Sequence, residues 1–206
     1  MAYSDFTSLS KVRQTLGLEI QDEAHLFAQA QVIPASQRLT EMLAENTDLA
    51  AAIATEKAKS ELLITPILLE VRRICQNQVG FFSGVEFSVE ASLGLNGACD
   101  YLLTASANQS LITAPVLTLV EAKNDLLKNG LGQCAAQMYA AWLFNEREGT
   151  PQAIVHGAVS TGTTWKFLTL QNTRLMIDLR EYYINQIEHI LGILVNSLQS
   201  HITAMV

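Results

Sequence analysis

Residues Pro115 to Lys123 read PVLTLVEAK, a run that is almost wholly apolar until it delivers Glu121 and Lys123 at its end. Bounded by the polar segment TASANQSLITA (Thr104 to Ala114) before it and by turn residues from Asn124 onward, it reads as the most buried strand of the chain. Side chains alternate along a strand, so Glu121 and Lys123 share one face and Ala122 points to the other. Placing two charges beside Leu117 and Leu119 is costly unless a metal, a partner charge or water compensates. Asp100 lies in a second short strand upstream, ACDYLLT (Ala98 to Thr104), so two acids and a lysine are available to one sheet.

Working outward, Val85, Phe87 and Val89 interleave with Glu86, Ser88 and Glu90, the alternation of a half-exposed strand, and Gly94 to Gly97 makes a turn. AIVHGAVS (Ala153 to Ser160) and TWKFLTL (Thr164 to Leu170) read as further strands, with a sixth over Arg174 to Ile177. Helices are expected at Ser8 to Leu16, ended by Gly17, and at Ala35 to Ala44, entered through Pro34. A helix-rich stretch from Thr47 to about Gln76 is kinked or restarted at Thr65-Pro66; Leu63, Ile67, Val71 and Ile74 form its apolar stripe, and Glu70 sits at the edge of that stripe. Gln133 to Asn145 reads as a helix whose small residues Ala135, Ala136, Ala140 and Ala141 allow a close approach to a sheet. Its Gln133 and Gln137, four apart, share a face. A long amphipathic helix from about Leu179 carries Ile184, Ile187, Leu191, Leu194 and Leu198 at heptad-like spacing. Core packing explains that stripe, with a homodimer seam as the alternative.

The expected architecture is therefore α/β: a central mixed β-sheet flanked by helices. It forms one domain, with a mainly helical extension over residues 1–60, a core over 61–170, and a C-terminal strand and long helix over 171–206. A chain of 206 residues with 49% hydrophobic and 16% charged residues is long and apolar enough to build such a core. No apolar run reaches the ~18 residues of a spanning helix, and the start MAYSDFTSLS lacks the basic and apolar regions of a secretory signal, so a cytoplasmic location without membrane attachment is the expectation. Cys75, Cys99 and Cys134 form no CxxC pair and read as small buried hydrophobes. His25, His156, His189 and His201 are scattered and read as structural. The net charge of −7 weighs against polyanion binding, although Arg72, Arg73, Lys123 and Lys128 fall near the candidate site residues in sequence and offer a local positive rim.

The order of helix with Glu70, strand, strand with Asp100, strand with Glu121-Ala122-Lys123, then helix with Gln133 and Gln137, resembles the PD-(D/E)XK, or restriction-endonuclease-like, nuclease superfamily. The likeness covers roughly residues 61–170. It departs from the superfamily in having Cys99 where many members have proline, and Gln137 at the tyrosine place of a Q-x-x-x-Y helix motif that begins here at Gln133. The resemblance implies a restriction-endonuclease-like core with Asp100 and Glu121 as magnesium ligands, the Ala122 carbonyl as a further ligand, and Glu70 acting through water or on a second ion. Manganese would serve as a substitute. Lys123 would orient the attacking water or stabilise charge on the phosphoryl oxygens, and Gln133 and Gln137 would contact substrate. Magnesium suits such a site because it prefers oxygen ligands, keeps several waters and is usually held by one or two carboxylates plus phosphate.

A magnesium-dependent nuclease acting on nucleic acid, with DNA favoured, is the function this implies, and a partner protein would supply the specificity for which the chain has no recognition module. A catalytically silent nuclease-fold protein serving as a binding or scaffolding module is the rival. A Schiff-base role for Lys123 ranks last, because two neighbouring carboxylates keep an ammonium charged.

Overall fold

The computed structural model describes residues 1–202, with side chains through Leu198. Helix α1 (Leu9–Leu16) starts where the Ser8 hydroxyl accepts the Lys11 amide and turns Val12 and Leu16 inward. Strand β1 (Glu19–Glu23) follows. An irregular strap over 24–36 leads to α2 (Gln37–Ile53), which Ser36 caps through the Leu39 amide. Next come α3 (Glu56–Lys59), a π-helical turn (Ser60–Ile64) and α4 (Thr65–Ile74), joined through helical backbone. Strands β2 (Gly80–Glu86), β3 (Ala98–Thr104) and β4 (Val116–Ala122) pair antiparallel in sequence. Helix α5 (Leu131–Arg147) crosses over to β5 (Val155–Ser160), which lies parallel to β4. Strands β6 (Thr164–Gln171), β7 (Arg174–Asp178) and β8 (Tyr182–Tyr183) precede α6 (Ile187–Ile202).

The strands form one mixed sheet in the order β1-β7-β6-β5-β4-β3-β2, with β8 added against β6. Every residue of β4 is buried, as the sequence of that stretch requires. Between β3 and β4 the pairing skips Leu117, a bulge that places Thr118 opposite Leu103 and Val116 opposite Thr104. One apolar layer lies under α1 and α5, where Leu119 and Val159 meet Cys134, Ala135 and Met138. The other lies under α2, α4 and α6, where Val120 and Phe167 meet Ile67, Val71, Leu191 and Leu194. The small residues of α5 do bring it close to the sheet: a Cβ on Gly157 would collide with the Met138 sulfur. Core packing accounts for the apolar stripe of the last helix, since Leu191, Leu194 and Leu198 are buried in the second layer.

The local readings shift at the edges. The strand expected at Val85 to Val89 runs instead from Gly80 to Glu86, and beyond it Phe87 and Val89 donate their amides to Gly97 and Leu95 across a loop. Strand β1, with sequence EIQDE, has no alternation to announce it and is held by parallel pairing to β7. The helix expected at Ala35 to Ala44 continues to Ile53. The last helix begins at Ile187 rather than near Leu179, because Asp178 organises a turn: its carboxylate accepts the Arg180 amide and the Tyr182 hydroxyl, both at 3.0 Å, and Tyr182–Tyr183 then pair with β6. All three cysteines are buried free thiols. The side chain of His201 lies outside the described residues. No helix among the described residues is long and apolar enough to cross a membrane.

One irregularity positions the site. Pro66 has no N–H, so the Leu62 carbonyl one turn earlier loses its helical donor. Asn46 supplies a replacement through Nδ2 at 3.1 Å. The Thr65 amide reaches back to the Ser60 carbonyl, which is the π-type spacing. That carbonyl also accepts the Tyr101 hydroxyl at 3.0 Å, and the same hydroxyl lies 3.0 Å from the Thr65 hydroxyl. The proline-induced turn is thereby docked onto β3, next to Asp100.

Candidate active site

Asp100 and Glu121 stand opposite each other, one step beyond the Tyr101–Val120 pair of the β3–β4 ladder. At this strand end the Asp100 carboxylate lies where a ladder carbonyl would, and its Oδ2 accepts the Ala122 amide at 2.8 Å. Glu121 points toward α5. Its Oε1 accepts from Lys123 Nζ at 2.6 Å and its Oε2 from Gln137 Nε2 at 2.9 Å. The contact at Oε1 puts Glu121 and Lys123 on one face, as strand alternation demands, while the Lys123 amide anchors to the Ser160 carbonyl of β5 at 2.8 Å.

Burial dominates the electrostatics here. The Glu121 side chain is 1% exposed and that of Lys123 21%. Desolvation, aided by the neighbouring Asp100 charge, pushes the Glu121 carboxyl up to about 7 against the pull of Lys123 and Gln137. Burial alone would lower the Lys123 ammonium, but the charge and hydrogen bond of Glu121, with smaller contributions from Glu56 and Asp100, raise it. With Glu121 ionised, the two carboxylates at this strand end outnumber the one neighbouring ammonium of Lys123.

A cleft of about 270 Å³ opens at Asp100. Ser83, Gly84 and Tyr101 wall it on the sheet side, and Glu56, Ser60 and Glu61 on the helical side. Lys59 ties the two sides together by donating to the Asn124 carbonyl (2.6 Å) and side-chain oxygen (3.1 Å) just past β4.

The structure does not bring Glu70 into this cleft. Glu70 is buried between α4 and the start of α2, and its carboxylate accepts from Arg73 at 2.6 and 3.0 Å and from the Ser36 amide at 3.1 Å. It lines an adjoining groove with Arg38, Leu69 and Arg73, which meets the cleft at Glu61 and Thr65. The helical acids beside Asp100 are Glu56 and Glu61, which the sequence reading passed over. Their only signal is that they share an exposed helical face with Lys57 just ahead of the Thr-Pro step, a pattern that any solvated helix also shows. Gln137 is fully buried and holds Glu121, so it positions a carboxylate rather than meeting a substrate directly, and its Oε1 is buried without a partner. Gln133, one turn earlier, is half-buried. The expected positive rim is largely engaged in structural work. Arg72 bonds to the Val79 carbonyl and Asn77, Arg73 pairs with Glu70 and Lys123 with Glu121, while Lys128 is exposed.

Among the described residues, no group of three or more His, Cys, Asp or Glu side chains is placed to hold a metal ion. Two carboxylates are the number of side-chain ligands that magnesium, otherwise held by water and phosphate, commonly takes, and here both oxygens of Glu121 and one of Asp100 already accept internal hydrogen bonds. With Glu121 ionised, the summed charge of the two carboxylates exceeds that of Lys123 and is of the sign a cation would relieve. No protein-family model matches the chain, and no curated protein matches it by sequence.

Proposed function

We propose that this chain is a magnesium-dependent nuclease of the PD-(D/E)XK kind, hydrolysing phosphodiester bonds of nucleic acid, with DNA favoured and manganese able to substitute. The observation that carries this reading is that Asp100 and the Glu121–Lys123 pair flank Ala122 at one strand end, with Asp100 opening onto a cleft and Glu121 buried behind it. Asp100 and Glu121 would hold the cation, with the Ala122 carbonyl as a further ligand. When bound, the cation would supply charge neutralisation at the scissile phosphate and acidify the attacking water. Asp100 additionally fixes the strand end through the Ala122 amide, so its carboxylate is held in place before substrate arrives. Gln137 orients Glu121 from behind. Lys123 remains an ammonium because Glu121 raises its pKa, which suits it to stabilising charge on phosphoryl oxygens and disfavours the Schiff-base alternative. Either Glu56 or Glu61 takes the helical-acid place first assigned to Glu70.

The rival, a nuclease-fold protein that binds without turnover, is favoured by one observation: both Glu121 oxygens and one Asp100 oxygen already accept internal hydrogen bonds. Cleavage of plasmid and of single-stranded DNA with Mg²⁺ or Mn²⁺ separates the two. Turnover that disappears in Asp100→Ala and Lys123→Ala supports the nuclease. Absence of metal-stimulated cleavage across DNA and RNA substrates, with nucleic-acid or protein binding retained, supports the silent module. The net charge of −7 makes a partner protein that contributes substrate grip and specificity part of this reading.

A further inference from the structure

We propose that a second site, between the strap over 24–36 and the start of α6, binds a small organic anion with an apolar body, of the aryl carboxylate class. A cavity of about 320 Å³ lies there, the size range of small-molecule sites, and it shares no lining residue with the cleft at Asp100. Phe27, Ala30, Val32 and Ile193 make its walls apolar, while Arg180 and His189 bring hydrogen-bond donors to it. Its frame is preformed. The Ile33 amide donates to the Glu188 carbonyl at 3.0 Å, and at Gly192 the strap runs so close that any Cβ would collide with the Gln31 carbonyl oxygen. Phe27 is set edge-on against Phe167, with ring centroids 5.7 Å apart.

The ligand class follows from Arg180. Its guanidinium is held over the Tyr182 ring, 5.2 Å from the centroid, and among the described residues no carboxylate lies within ion-pair distance of it. Asp178, two residues earlier, is fully buried and is turned to the Tyr182 hydroxyl and the Arg180 backbone amide. An arginine placed in this way, with its planar fork open at the rim of an apolar cavity, matches a carboxylate in shape and charge, and its stacking on Tyr182 lowers the cost of ordering it. The apolar walls then select for a ring or similar body behind the carboxylate.

The full chain, titrated with benzoate, benzyl alcohol and acetate while backbone amide shifts are followed by NMR, tests this. Saturable benzoate shifts are expected at Phe27, Ala28, Ala30, Val32 and His189, with affinity about tenfold or more above that for benzyl alcohol or acetate, the scale of one charge-assisted hydrogen bond. Arg180→Gln, at an exposed position, reduces benzoate to the level of benzyl alcohol. Ala28→Trp, at the exposed mouth, weakens both while leaving the rest of the spectrum in place. Shifts scattered over the surface, equal responses to benzoate and acetate, or an Arg180→Gln protein that binds benzoate as well as the parent would each overturn the proposal. Because this cavity is separate from the cleft, failure here leaves the nuclease reading untouched, and the reverse also holds.

Discussion

Among the described residues two glutamates, Glu70 and Glu121, are buried, and their environments are opposite. Glu70 is 6% exposed but has an arginine fork and a backbone amide on its carboxylate, so Arg73, with help from Ser36, outweighs burial and holds its carboxyl below the ordinary range. Glu121 also has two donors, yet deeper burial and the facing Asp100 push its carboxyl up. Burial alone therefore does not mark a functional acid. A carboxylate whose partners outweigh burial is an element of structure, whereas one that burial and a second carboxylate hold near neutrality is poised to respond to a cation.

The largest effect expected from this contrast is on cleavage. On the proposed nuclease reading, Asp100→Ala, Glu121→Ala and Lys123→Ala each lose about 10²–10³-fold or more in metal-dependent turnover, the scale of removing one transition-state contact. Glu70→Gln stays within a few-fold of the parent in the same assay. Equal losses at Glu70 and Glu121 would erase the difference between the two buried carboxylates.

Next in size is the pH dependence of stability. The Glu121 carboxyl sits near 7 in the folded chain against an ordinary 4.5, so the native state binds its proton more tightly. From this group stability is greatest below about pH 4.5 and falls as pH rises to about 7, by up to about 3 kcal/mol. Denaturant titrations across that window show the slope, and Glu121→Gln flattens it. Magnesium, by favouring the ionised form, reduces it in the parent. Glu70 has the reverse signature, because its depressed carboxyl contributes stability that is present above the ordinary carboxylate range and lost as pH falls. Glu70→Gln therefore removes an acid-side loss rather than a neutral-side one.

A smaller effect is expected from Glu70→Ala. Breaking a buried pair can cost about 3–5 kcal/mol, but Arg73 is 56% exposed and returns to water, so about 1–3 kcal/mol is expected, measured by urea unfolding at pH 7. The smallest is expected from Gln137→Met, which keeps the volume and removes the hydrogen bond to Glu121. Stability changes by about 1 kcal/mol. The pH profile of cleavage shifts to higher pH, because Glu121 loses a donor that favours its ionised form. A profile that does not move would separate Gln137 from the chemistry of Glu121.

Much of the fold was legible locally. The apolar PVLTLVEAK run predicted a fully buried strand, its alternation placed Glu121 and Lys123 on one side, and the alanines of α5 foretold close helix packing, because burial and strand periodicity are written into neighbouring residues. Strand β1 was not legible, since EIQDE is ordered by a partner strand more than 150 positions away in the chain.

The sequence by itself determined which strand is central and which charges that strand carries. Only the tertiary structure decided which helical acid faces them. Glu70, Glu56 and Glu61 look alike in a helix, and the difference came from the π-turn at Pro66 docking on Tyr101, which sets Glu56 and Glu61 at the cleft while the start of α2 closes over Glu70. The physical reason is range. Side-chain alternation repeats over two residues, but the rotation and depth at which a helix meets a sheet are settled by packing against distant elements.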